Sequence, residues 1–465
     1  MASIAGTRSV LKRELGTGPQ LLWKYWSAQE VQGACRQCGH HWRERFWTPL
    51  ETLWVFLLQV LNPGSSCRKA VAMALTQEAA EGQDVADSPD PSAYCQARHR
   101  LPLAVIRRGV SQIGQGLEEQ VGSALTWLGR RVWVVDGSSC SMPDTPELQK
   151  AFGQPGGQAP GCGFPVAKIV TMFAWASGAV REVAIGPWRV SELHLWRKLW
   201  HLLRPGDLVL GDRFYCTYAD IAGLLGQGCD AVFRLHQRRS ADMRQGRRLG
   251  RQDRLVTWER PLYRNRPRGM NRAEWSALPL ELTVRLIRFA VAPRGFRCRT
   301  ILVATTLLDP RAYPAAKIAA LYRDRWLAEL RLRDLKITLG MDVLRGKTPD
   351  IVRKEIHMHL LAYNLIRALM WQAAKARGGS LHRLSFAGTV DRLDVALPFL
   401  VCLGPKPAAH NLYLFLLEWI AHDTLPDRPN RIEPRAVKRR PKQYPLLNKP
   451  RRQMRKALLR KVLVP

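Results

Sequence analysis

The apolar and polar positions divide the chain near residue 125 into two regions of different rhythm. Before that point the pattern is helical. WTPLETLWVFLLQVLN opens on Thr48-Pro49 with Glu51 behind it, a helix start, and halts at Asn62-Pro63-Gly64-Ser65. After a Pro-rich linker, SPDPSAYCQARHRLPLAVIRRGVSQIGQGLEEQV predicts a second helical region. From residue 131 short β-rich runs alternate with helices. RVWVVDGS predicts a strand ending at Asp136, and VAKIVTMFAWASGAVREVAIGP predicts two strands joined at a Ser-Gly turn. SELHLWRKLWHLL has helical periodicity up to Arg204-Pro205-Gly206, GDLVLGDRFY is a strand ending at Asp212, YADIAGLLGQGCD a helix, and AVFRL a further strand. LELTVRLIRFAVAP and FRCRTILVATTL have strong β character. A long helix is predicted from Ala315 to Leu339 and another over residues 351–376, with a helical region beyond that turns polar and basic. The longest apolar runs, LWVFLLQVL and NLYLFLLEWIA, are too short to span a bilayer and read as buried helices.

The charge balance changes the picture from a generic α/β protein to one with an anionic partner. Lys and Arg number 72 against 38 acids, a net +34 in 465 residues, with a pI near 10.6. So large a surplus repels itself unless phosphate neutralises it, which points to nucleic acid. Sixteen Trp residues and long apolar segments fit a ribosomal structural protein poorly. Arginine is concentrated between Arg234 and Arg272, with thirteen Arg, no Lys and three acids. The stretch Arg431–Lys461 holds thirteen Lys or Arg and one acid. Both are candidates for DNA contact. No secretory signal is evident in MASIAGTRSVLKRELGTGPQ, and the ten scattered cysteines fit a reducing compartment. A cytoplasmic, nucleoid-associated protein without membrane contact is therefore expected.

Some motifs read best as incidental. Cys35-x-x-Cys38 with His40 and His41 lacks the second pair that a familiar zinc site needs, and His357-x-His359 lies in an apolar helical stretch as core histidines. Asp144, Asp207, Asp324, Asp334 and Asp342 are expected to be solvated or paired with the abundant arginines, and Glu192 to favour the start of its helix.

The most specific stretch is LYRDRWLAELRLRDLKITLG. Tyr322, Arg325, Glu329 and Lys336 sit at offsets that an α-helix would gather into an arc of about 60°. Leu321, Ala328, Leu332, Leu335 and Leu339 form an apolar stripe beside them, and Trp326 and Arg333 flank the polar face. Geometry alone is equally served by an amphipathic helix with Arg325–Glu329 or Glu329–Arg333 ion pairs.

The spacing Y-x2-R-x3-E-x6-K resembles, at every position, the signature of bacterial insertion-sequence transposases with a ribonuclease-H-like catalytic core. VVDGS resembles the first Asp motif of that family and LVLGDRFYCTYADI the second. HMHLLAYNLIRALM resembles the stretch after the Glu motif, and WRERFWTPLETLWVFLLQVLN and EPRAVKRRPKQYPLLNKPR resemble its ends. Asp212 follows Asp136 by 76 residues and Glu329 follows Asp212 by 117, room for the β-rich insertion that the family carries.

The resemblance implies an α/β fold: a ribonuclease-H-like mixed sheet flanked by helices, interrupted by a β-rich insertion, with helical N-terminal and C-terminal regions. The corresponding divisions are residues 1–125, an N-terminal helical region for DNA-end binding; 126–233 and 298–376, the catalytic domain; 234–297, the Arg-rich insertion with Trp258 and Trp275; and 377–465, a helical C-terminal region with a basic tail. It also implies metal-dependent cleavage of DNA ends followed by strand transfer of the 3′-hydroxyl to target DNA. Asp136, Asp212 and Glu329 would be the catalytic and metal-binding carboxylates, holding two Mg²⁺ ions with Mn²⁺ able to substitute. Tyr322, Arg325 and Lys336 would contact phosphates, Trp326 would stack on a base, and Arg333 would add a further cation. The implied partners are the double-stranded inverted-repeat ends, target DNA, and a second copy of the chain when the ends are paired. The competing readings are a DNA-binding protein derived from a transposase that no longer cuts, and a ribonuclease-H-fold nuclease without transfer.

Overall fold

The computed structural model describes residues 26–80, 89–121, 126–157, 159–236, 239, 241–267, 270–290, 300–403, 407–426 and 447–462. Most of EPRAVKRRPKQYPLLNKPR and the start of FRCRTILVATTL fall outside the described residues. The chain forms two compact units, one drawn from Met1–Leu125, Ala176–Val183 and Leu330–Pro426, the other from Thr126–Trp175, Ala184–Glu329 and Asp427–Pro465.

The first unit is helical. Its N-terminal part holds helices Ala28–Gln37, Pro49–Leu61, Cys67–Ala80, Ser92–Arg100 and Leu103–Val121. Thr48 caps Pro49–Leu61 by accepting the Glu51 N–H at 3.2 Å, and the body of that helix is buried from Glu51 to Val60. Helix Pro349–Arg377 is the centre of the unit, buried along most of its length. Asn364 Nδ2 donates to the Val110 and Val180 carbonyls at 3.1 and 2.7 Å, and the Tyr363 hydroxyl donates to the Gly178 carbonyl at 3.1 Å. Polar groups inside this helix are thus spent on backbone carbonyls, as burial demands. His359 belongs to the same group, with Nδ1 at 2.8 Å from the Glu355 carbonyl. Helix Pro407–His422 departs from expectation. Only Ala409, Leu416, Leu417, Ile420 and Ala421 are buried, while Leu414 and Phe415 are at least half exposed. NLYLFLLEWIA therefore buries one stripe rather than a whole helix.

The second unit holds most of a nine-stranded sheet in the order β3-β2-β1-β4-β5-β9-β8-β7-β6. The strands are β1 Val132–Ser141, β2 Val166–Ala174, β3 Val180–Pro187, β4 Leu208–Gly211, β5 Asp230–Arg234, β6 Arg247–Gly250, β7 Asp253–Glu259, β8 Glu281–Ala290 and β9 Thr300–Thr305. β1 runs antiparallel to β2, with Asp136 opposite Thr171, and parallel to β4, with Val134 opposite Leu210. β4 is parallel to β5, whereas β5, β9, β8, β7 and β6 pair antiparallel in turn. This is the expected mixed, ribonuclease-H-like sheet. The Arg-rich insertion does not build a sheet of its own: β6, β7 and β8 extend the existing one beyond β9. β4, the centre of β5 and the first half of β1, Val132–Val135, are apolar on both faces, as strands covered on two sides must be. SELHLWRKLWHLL forms only the short helix Glu192–Arg197 and a 3₁₀ turn at Trp200–Leu202.

Candidate active site

Asp136 lies on β1, Asp212 directly after β4, and Glu329 on the helix Trp326–Arg333. Because β1 and β4 are adjacent and parallel, and β4 ends at Gly211, the first two carboxylates emerge side by side where β4 stops. Open α/β sheets place ligands at such strand ends. Each of the two is aimed by its own backbone: Asp136 Oδ1 accepts the Gly137 N–H at 2.8 Å, and Asp212 Oδ1 accepts the Phe214 N–H at 2.7 Å.

The long helix expected over Ala315–Leu339 is broken into Ala315–Arg323, Trp326–Arg333 and a π turn at Asp334–Thr338. At the first break the backbone bonds tighten to i→i−3, from Arg325 N to Tyr322 O at 3.1 Å and from Leu327 N to Asp324 O at 2.9 Å. Trp175 Nε1 holds the Asp324 carboxylate at 3.0 Å. The α-helical arc computed for Tyr322, Arg325, Glu329 and Lys336 therefore does not carry through, since both interruptions change the phase. The tight turn nevertheless delivers Tyr322, Arg325 and Glu329 to one pocket of about 460 Å³, lined also by Asp136, Asp212, Arg213 and Arg234.

Inside that pocket the Arg325 guanidinium donates to Glu329 Oε1 at 2.5 Å. The Tyr322 hydroxyl is buried and donates to the Gly211 carbonyl at 3.3 Å, tying the first helix segment to the end of β4. Burial pushes the Asp136 carboxyl up to about 6; the Gly137 N–H and Arg325 oppose this, and Asp212 and Glu329 add to it. Asp136 is thus a desolvated acid with two further carboxylates and the Arg325 guanidinium nearby.

Residues 127–365 match the family described as Transposase DDE domain. The chain is 30% identical over 362 residues to the transposase InsG for insertion sequence element IS4 of Escherichia coli (strain K12), covering 76% of this chain and 78% of that one. The chain belongs to the DDE transposases. The solved piggyBac transposase synaptic complex with hairpin DNA aligns with 88% of this chain and 84% of its own at 9% identity, with a TM-score of 0.43.

The remaining motif residues of this DDE transposase are distributed differently. Trp326 is about half exposed, at 48%. Arg333 is largely exposed, with a contact to Asp334 at 3.7 Å. Lys336 lies in the helical unit, paired with Asp342 at 2.9 Å. In the insertion Trp258 stands on β7 with the Arg239 guanidinium 4.0 Å from its ring centre, and Trp275 is buried in the short helix Arg272–Ser276. The acids read as arginine partners include two clear cases: Asp207 takes two bonds from Arg131, and Asp144 pairs with Arg451.

Sequence reasoning missed Arg213 and Arg234 as pocket residues. Arg213 follows Asp212 directly and could have been found from that; Arg234 ends β5, and only the strand order brings it there. Glu192 is a second omission. The sequence places it at a helix start, and in the structure its carboxylate fills the space in front of Gly137. Among the described residues, no three His, Cys, Asp or Glu side chains are grouped as around a metal ion; Glu329 is paired with Arg325. The described cysteines, Cys35 and Cys38 included, are free thiols. Nor is any described helix long and apolar enough to cross a membrane.

Proposed function

We propose that this transposase cuts DNA at the ends of its own element and joins the freed 3′-hydroxyl ends to target DNA, with Asp136, Asp212 and Glu329 as the ligand carboxylates. The observation that carries this reading is the pocket itself: three acids separated by 76 and 117 residues in sequence line one cavity beside Arg325 and Tyr322. Membership of the DDE family implies a divalent-metal requirement, and the donor set suits one. All three side chains offer hard carboxylate oxygen, which matches Mg²⁺ or Mn²⁺, and the raised Asp136 marks a site where positive charge would be stabilising. Two ions would activate the attacking oxygen and neutralise the leaving one. Asp136, Asp212 and Glu329 would hold the cations.

Arg325 has a double task in this reading. Without DNA it neutralises Glu329. With DNA its forked donors pass to a phosphate, releasing Glu329 to the cation. Tyr322 and Arg325 would then bracket the scissile phosphate, with Lys336 and Arg333 on the continuing strand and the half-exposed Trp326 stacking on a base. The N-terminal helices supply a second basic and aromatic cavity, of about 830 Å³, lined by His41, Arg43, Arg45 and Arg100 with Trp42 and Trp47. That lining suits the DNA end, and pairing of two ends calls for two copies of the chain.

The test is mobilisation of a marker placed between the element's ends, comparing wild type with Glu329→Gln and Asp136→Asn. Movement by the wild type alone, dependent on Mg²⁺ or Mn²⁺ in the purified reaction, is the expected result. Equal movement by wild type and Glu329→Gln would remove Glu329 from the chemistry. Cleavage without joining would reduce the protein to a nuclease, and end binding without cleavage to an inactive DNA-binding protein.

A further inference from the structure

β1 and β2 continue as a hairpin past the end of β4. Leu210 is level with Val134, so β4 stops at Gly211 while β1 runs on from Asp136 to Ser141, paired with β2 as far as Val166. At about 3.4 Å per residue the hairpin reaches about 17 Å beyond Asp136. The loop that closes it, residues 142–165, therefore stands on the carboxylate side of the sheet, about five base-pair steps from Asp136. Its backbone is pinned. Gln149 Nε2 donates to Asp144 Oδ1 at 3.0 Å and to the Gly163 carbonyl at 2.7 Å. Gln154 Oε1 accepts the N–H groups of Gly161 and Gly163 at 3.0 and 3.1 Å, and the Met142 N–H donates to the Pro165 carbonyl at 3.2 Å. Between the buried Gly163 and Pro165, Phe164 is 53% exposed. A fixed backbone thus holds an aromatic ring out into solvent.

The basic helix Arg451–Val462 is seated on the same loop. Arg451 Nε donates to Asp144 Oδ2 at 3.0 Å, the second oxygen of the carboxylate that Gln149 holds. Gly161, at φ +77°, leaves room for Pro450, since a Cβ there would lie 3.1 Å from Pro450 Cβ. Both contacts belong to the start of the helix. Beyond them Arg452, Lys456 and Arg460 are exposed and recur at i, i+4 and i+8, a row of cations about 6 Å apart along the helix axis. Between Leu447 and Val462 there are seven Lys or Arg and no acid. The row therefore has no carboxylate within its own segment to neutralise it, and it calls for an anionic partner.

We propose that the loop between β1 and β2, with the helix seated on it, is the surface that holds target duplex: Arg452, Lys456 and Arg460 take its phosphates, and Phe164 wedges between base steps. Cations on phosphates position a duplex without reading its sequence. An apolar wedge favours steps that unstack and bend easily. An element end has to be recognised by sequence, whereas a target is taken at many sequences, so this chemistry fits the target. The reach of the hairpin sets the bound duplex beside the carboxylates that would join the 3′-hydroxyl to it.

This inference rests on the cutting-and-joining reading above, and the experiment separates the two. Three quantities are read from the full-length protein: cleavage of an uncut element end, joining of a pre-cut end to a supercoiled plasmid, and affinity for an unrelated linear duplex across about 50–200 mM salt. Wild type is compared with Phe164→Ser and with a triple variant carrying Arg452→Gln, Lys456→Gln and Arg460→Gln, each checked for a cooperative melt. In the triple variant joining is expected to fall about ten-fold or more with end cleavage kept, and the slope of log affinity against log salt to shrink by about 2.7, the share of three phosphates. Phe164→Ser is expected to keep that slope and to lose preference for flexible pyrimidine–purine steps among its insertion sites. Wild-type joining and slope in the triple variant would overturn the proposal. Cleavage lost in step with joining would assign the surface to the element end and overturn the target role, and an unchanged set of insertion sites in Phe164→Ser would overturn the wedge. A wild type that neither cuts nor joins would overturn the proposed function instead; the duplex titration needs no chemistry and still decides whether the helix holds DNA.

Discussion

His357 sits inside helix Pro349–Arg377 with Nδ1 2.7 Å from the Arg353 carbonyl and Nε2 without a partner among the described residues. Burial lowers its pKa from the ordinary imidazole value to about 4. Between pH 4 and 6.5 the unfolded chain accepts a proton that the folded one refuses. Stability from this residue is therefore intact above the unfolded value, falls as the pH drops through that window, and is about 3 kcal/mol lower below it. Asp334 acts in the opposite sense: burial lifts its carboxyl to about 6, so it favours folding as the pH falls below that value. Comparing wild type with His357→Asn isolates the histidine, because Asn keeps a donor near the Arg353 carbonyl. Melting temperatures at pH 7.5 and pH 4.5 should differ clearly less in the variant; parallel shifts would show that His357 is not part of the acid response. That this histidine belongs to the core was legible in the apolar pattern around it. Its unpartnered nitrogen was not, because a hydrogen-bond partner is a property of neighbours in space.

At the level of elements, β7 and β8 are joined by more than their ladder. Arg285 on β8 has no exposed surface, and its guanidinium makes two bonds to Asp253 on β7, from Nε at 2.9 Å and Nη2 at 2.6 Å. Its Nη1 donates to the carbonyls of Leu307 and Tyr313 at 3.2 and 2.7 Å. Removing one member leaves the other buried without a counter-charge, which costs about 3–5 kcal/mol. Arg285→Met is expected to lower stability on that scale in urea denaturation, and adding Asp253→Leu to recover a large part of it. No recovery in the double variant would assign the loss to packing instead. The strand itself was legible in LELTVRLIRFAVAP, but an arginine there reads as a solvated position; only the register with β7 shows it turned inward. The predicted helix Ala315–Leu339 fails for a related reason. Its periodicity is real, yet Asp324 is drawn to Trp175, a residue 149 positions earlier, and the chain tightens there.

For the molecule as a whole, the net charge of +34 governs how DNA is held. Affinity for a DNA end should fall linearly with the logarithm of salt concentration, because each neutralised phosphate releases counterions. A protein making about 6–10 phosphate contacts loses roughly 10³–10⁵ in affinity between 50 and 200 mM salt. Titration of a labelled end across that range checks this, and a salt-independent affinity would contradict a phosphate-based interface. The sequence by itself determined the class of fold, the order of strands β1 to β5 along the chain, the basic character, and the spacing of three acids within a family signature. These are written in periodicity, composition and spacing, which survive without a partner in space. Tertiary structure alone decided that β6 to β8 extend the central sheet and that Arg213 and Arg234 reach the pocket. It likewise decided that Arg325 holds Glu329 and that Glu192 lies against Gly137. Each of these depends on which segments meet across long separations, and that choice is settled by burial and hydrogen bonding over the whole sheet rather than by any local run of residues.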